Sequence, residues 1–198
     1  MKNWIDLYMS HRNARTVAAS WTTDVRKKLI ALADAGHCDN AIRGRFSNKN
    51  LGDLVEWSIR KDHRQAAEPL TALANLESAE LSVLGLVGKS GHLHAFTISV
   101  EGKRKDGSTW TLAVDLPDDR ETHKTPDGDR QGLGACSHAA FHCHVGPDRK
   151  TAPEVRVPLP ALGPVEALDW VLSQLVPTSK FEPAPWAEVQ AALKKASP

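Results

Sequence analysis

The chain has 198 residues, 41% of them hydrophobic, and a formal net charge of +1 from 25 Lys and Arg against 24 Asp and Glu. That length can bury a substantial core. No apolar run approaches the roughly 20 residues of a membrane helix, the N-terminus lacks a signal peptide's apolar core, and Cys38, Cys136 and Cys143 are too few and too irregularly spaced for a disulfide scaffold. A soluble, cytoplasmic protein with no membrane contact is the expectation.

The charge is unevenly spread. From Ser10 to Arg64 eleven Lys and Arg face six Asp and Glu, a net of +5, so the part from Gln65 onward carries −4. Such a split suits an anionic partner for the first part or a docking surface between the two.

In chain order, WIDLYM places Trp4, Leu7 and Tyr8 at helical spacing, which predicts a short helix or docking arm. In SWTTDVRKKLIALADAG, Thr22 or Thr23 can cap a helix whose stripe is Val25, Leu29 and Leu32, with Gly36 as its stop. Leu51, Leu54, Val55 and Ile59 repeat the helical period and predict a helix ending near Asp62; AEPLTALANL, with Pro69 near its start, predicts another short one.

From Ala79 the pattern changes to β. LSVLGLVG, HLHAFTISVEG and STWTLAVDL are rich in β-branched and apolar residues, and Asp106-Gly107 suits the tight corner between the last two. Alternation assigns Phe96, Ile98 and Val100, and then Trp110, Leu112, Val114 and Leu116, to a core face. The polar run from Pro117 to Gly134 is too long for an idle connection. ACSHAAFHCHVG and EVRVPLP follow as strands, the second an edge because of Pro158 and Pro160. GPVEALDWVLSQLVP and APWAEVQAALKK read as two closing helices, the first starting at Pro164.

The fold class expected is α+β: an N-terminal helical region, an antiparallel sheet of about five strands, and a C-terminal helical pair packed on the sheet. The division is 1–77, helical and basic from about residue 10, and 78–198, sheet and closing helices, together forming one compact unit.

Chemistry concentrates on two histidine-bearing strands. His92 and His94 share one face of the first; His138, His142 and His144 share one face of the second. Gathered together, they would supply the imidazoles for a divalent transition metal, with carboxylates available from Asp115, Asp118, Asp119 and Glu121. Parity opposes the gathering. His92 and His94 fall on the side of Phe96, Ile98 and Val100, whereas His138, His142 and His144 alternate with Phe141 and Cys143, so one set points inward and the other outward unless a bulge or a doubly covered sheet intervenes.

Three functions follow. The first is a binding or assembly protein acting through a protein partner, as a subunit or inhibitor-like module, from the amphipathic helices, six tryptophans and opposed charge halves. The second is a metal-dependent hydrolase using the histidine cluster, with Asp118, Asp119 or His123 as candidate catalytic groups. The third is nucleic-acid binding: LIALADAGHCDNAIRGRF resembles a helix-turn-helix with Gly36 at the turn, which would carry Arg43, Arg45 and Lys49 to phosphates. Cys143, among apolar neighbours, reads as a small buried hydrophobe.

Overall fold

The computed structural model describes residues 15–120, 122–125, 128–131, 141–147, 156–159 and 162–175. The apolar stripe of the first predicted helix forms α1 (Trp21–Asp34), which buries Trp21, Val25, Leu29 and Leu32. Its N-cap is Ser20, so Thr22 and Thr23 lie within the first turn. Gly36, at φ 78°, ends it in the left-handed conformation that glycine adopts without strain. A four-residue α2 (Ile42–Arg45) then runs straight into a strand, which leaves no recognition helix and removes the helix-turn-helix reading.

The helix expected over 51–62 is instead a hairpin of β1 (Phe46–Leu51) and β2 (Leu54–Lys61). Gly52, also at φ 78°, makes the turn. Val55, Trp57 and Ile59 alternate toward the core, a period of two that outweighs the coincidental helical spacing of Leu51, Leu54 and Val55. Two short strands follow, β3 (Arg64–Gln65) on β2 and β4 (Glu68–Leu70) on the next long strand. AEPLTALANL therefore holds an edge strand and not a helix. Glu68 and Leu70 are buried on either side of exposed Pro69, and Ala72 and Asn75 take positive φ, which no α-helix continues through.

The long strands β5 (Leu76–Gly88), β6 (Leu93–Arg104) and β7 (Thr109–Leu116) arise where β-branched alternation placed them. Gly107, at φ 86°, turns the corner between β6 and β7, and Asp106 Oδ1 accepts from the Ser108 amide. Part of the polar run 117–134 is a separate two-stranded ladder of β8 (Thr122–Thr125) and β9 (Gly128–Gln131). The second histidine strand is β10 (His142–Gly146), followed by the edge strand β11 (Arg156–Pro158) and by α3 (Pro164–Ser173), which starts on Pro164 as expected. The N-terminal WIDLYM segment and the final predicted helix lie outside the described residues.

The main sheet is antiparallel in the order β1-β2-β5-β6-β7-β10-β11, with β3 and β4 bringing it to nine strands where about five were expected. The region predicted to be helical up to residue 77 supplies four of them. One face carries the core: Phe96, Ile98, Val100, Leu112, Val114 and Leu116 lie under the helices, α1 against α3 and α3 against β6 and β7. Trp21 stands edge-on to Phe46 and Trp57, each centroid 6.3 Å away, and passes over Gly85, where a Cβ would come within 2.8 Å of its ring. Among the described residues no helix is long and apolar enough to cross a membrane.

Cys38 and Cys143 are free thiols, Cys143 buried as the sequence suggested. Burial, reinforced by the nearby Glu68 and Asp39 carboxylates, pushes the half-buried Cys38 thiol up to about 11. The nucleophile is the thiolate. Peptide-resolved iodoacetamide labelling of Cys38 is therefore expected to be slow at pH 8 and to accelerate up to about pH 11; rapid complete labelling at pH 8 would contradict this environment.

Candidate metal centre

The faces of the sheet decide whether the histidines can meet. On β6, Leu93 and Phe96 are both buried although three residues apart, which a straight strand does not allow. The register explains it: Leu86 pairs with Ala95 while the next residue, Val87, pairs with Leu93, so His94 is the extra residue of a β-bulge. The bulge reverses parity at its N-terminal side and turns His92 and His94 away from the core. On β10, Cys143 lies opposite Val114 in the core layer, while His142 and His144 lie opposite Asp115 and Ala113 on the other face. Both histidine pairs therefore occupy the face opposite α1 and α3, and the opposition predicted from a regular strand is overturned by one inserted residue.

They form two clusters on that face. His92, His94 and Asp119 bring one ligand atom each within 4.8 Å of one another, and so do Asp115, His142 and His144. In the first, His92 Nε2 lies 2.6 Å from Asp119 Oδ2 and His94 Nδ1 lies 2.7 Å from Asp119 Oδ1. A carboxylate only accepts, so without a metal both ring nitrogens donate to it. In the second, His142 Nε2 and His144 Nε2 face each other at 2.8 Å, with Asp115 Oδ2 3.4 Å from His144 Nε2. Two imidazole nitrogens turned on each other satisfy only one donor, whereas a cation beside them would use both lone pairs. His144 Nδ1 is buried and has no hydrogen-bond partner, and ligation of a cation through Nε2 would put the ring's single proton on it.

Arg15 braces the first cluster from beneath. Its side chain is 2% exposed; Nη1 donates to the Leu93 and His94 carbonyls at 3.2 and 2.6 Å, and Nη2 to Pro117 at 3.1 Å. Its own carbonyl accepts from Leu93 N, and Nη1 lies 3.7 Å from Asp119 Oδ2. Burial would raise the Asp119 carboxyl, but hydrogen bonds from the His92 and His94 rings and the Arg15 charge outweigh it, and the group is held below its usual range. His94 also lies over Gly88, where a Cβ would stand 3.1 Å from Nε2.

The other candidates are placed elsewhere. Asp118 accepts from the Arg120 side chain and amide, and those bonds hold its carboxyl low, which makes it a poor base. His123 is on β8, opposite Arg130 in register, and His138 lies outside the described residues. Of the three residues proposed for phosphates, Arg43 pairs with Asp34 and Arg45 with the buried Glu68, while Lys49 is exposed on the edge strand β1. Sequence reading missed Arg15, one arginine among many with no motif around it. It also left the choice among four carboxylates open.

The chain matches no protein-family model, curated protein or solved structure at a significant level.

Proposed function

We propose that this chain is a metal-dependent enzyme of hydrolytic type, binding one divalent transition metal ion at each two-histidine, one-aspartate cluster. The observation that carries the reading is the convergence of three ligand atoms within 4.8 Å at two separate places on one sheet face, from the residue before β6, from β6, β7 and β10, and from the turn after β7. Imidazole and carboxylate together suit zinc, iron, nickel or manganese. Three protein ligands per ion is the complement of catalytic sites, which keep a position for water, and an ion so held acidifies that water toward neutrality. Partial exposure of His92, His94 and Asp119, at 36%, 21% and 22%, leaves the first cluster within reach of small molecules.

Metal analysis of protein purified without a histidine tag, or reconstituted with Zn²⁺ or Co²⁺ and then desalted, is expected to give about two ions per chain, one for each open triad. Protein that retains no metal after reconstitution overturns the reading. The assembly function draws less support: Trp21 and Trp57, two of the tryptophans counted toward a contact surface, are packed in the core with Phe46.

A further inference from the structure

We infer that a cavity beside the Asp115–His142–His144 cluster is the binding pocket for a small, uncharged, hydrogen-bonding molecule, presented to the ion of that cluster; the second half of this inference rests on the metal reading above. The cavity, of about 270 Å³, lies over β2, β5 and β6, and its lining includes Ser58, Ser82, Leu84 and Thr97. Strand register connects it to the cluster. Ser58 pairs with Leu84, Leu84 with Thr97, Thr97 with Asp115 and Asp115 with His142, so these five residues form one row straight across the sheet. Alternation puts all five side chains on the face opposite α1 and α3. Adjacent strands are about 4.8 Å apart, so Thr97 at the rim of the cavity is one strand from the Asp115 ligand.

The lining defines the ligand. None of the residues around the cavity is ionisable: beside the two serines and Thr97 stand Gln65, Ala66, Ala67 and Leu84. A charged guest would lose hydration, and the ionisable side chains beside Ser58 on that face, Glu56 and Arg60, are already paired with each other. Ser58 lines the cavity, is 1% exposed, and its Oγ has no hydrogen-bond partner. In the adjacent row, which runs Ser82, Ser99, Ala113, His144, the Ser99 hydroxyl is likewise buried and unpartnered. Buried hydroxyls left unmatched are costly, and a guest carrying an amide or hydroxyl relieves that cost at Ser58.

Benzamide, benzoate and benzamidine are nearly isosteric and are respectively neutral, anionic and cationic at pH 7, so they isolate charge from shape. With chelator-treated protein, ligand-observed NMR is expected to show benzamide binding at least about tenfold tighter than either charged probe, the consequence of an uncharged lining. Thr97→Val is expected to weaken it roughly threefold or more through the lost hydrogen bond, and Ser82→Trp to abolish it by filling the space. Equal or tighter binding of a charged probe, no benzamide binding, or indifference to Ser82→Trp overturns the pocket. With Mn²⁺ added, the benzamide protons are expected to relax faster in the wild type and in His94→Ala but not in His142→Ala. Benzamide binding without that enhancement keeps the pocket and removes its metal neighbour; Mn²⁺ binding without benzamide binding keeps the metal reading and removes the pocket.

Discussion

Replacing Asp119 with asparagine is expected to lower metal affinity at its own site by roughly 100-fold or more and to leave the Asp115–His142–His144 site unchanged. A partner that only orients a ligand is worth about 10- to 100-fold, and Asp119 would itself be a ligand. It also links His92 and His94 through separate oxygens, so the substitution removes the charge to which both rings are directed. The converse variant, His142→Ala, is expected to leave the first site loaded. Titration with Co²⁺, read by absorbance, separates the two, because each variant should retain one ion. If Asp119→Asn keeps both ions and loses only thermal stability, the first cluster is a hydrogen-bonded His–Asp–His bridge and not a metal site.

Arg15→Met is expected to cost about 3 kcal/mol or more in stability, among the larger effects available to a single side chain here. The guanidinium is 2% exposed and satisfies three carbonyls, those of Leu93 and His94 at the bulge and that of Pro117 after β7. Methionine has similar length and fills the space, so the loss reports the hydrogen bonds and the charge beside Asp119 rather than a cavity. Arg15→Lys keeps the charge but not the planar fork and should fall between the two. Urea unfolding of the three proteins in chelator measures this; a Met variant within about 0.5 kcal/mol of wild type, the range of an ordinary surface substitution, would show that Arg15 does not brace the site. Metal affinity at the Asp119 site should also fall, since the Leu93–His94 backbone positions two of its ligands.

Local pattern carried α1, α3 and the strands β5, β6 and β7, because each has a run long enough for periodicity to be unambiguous. It failed over 51–62 and 68–76, where short runs fit two periods and the deciding features were a glycine turn and positive-φ residues that have no strong signature. Arg45 shows the same limit for function. Its place in a basic stretch suggested phosphate contact, yet it is bonded to Glu68, a partner 23 residues away on β4.

What the sequence by itself determined is the inventory of the site: two H-x-H pairs, the aspartates on and just after β7, and their assignment to strands. These follow from residue type and from the two-residue alternation that backbone geometry imposes on any strand. Only the tertiary structure decided that the pairs share a face, that they form two clusters instead of one, and that Ser58, Thr97, Asp115 and His142 stand in one row. The reason is physical. A bulge costs one extra residue and is selected by pairing across strands and by the buried Arg15 beneath it, interactions between positions as far as 102 residues apart, so no local window of the chain contains the terms that choose it.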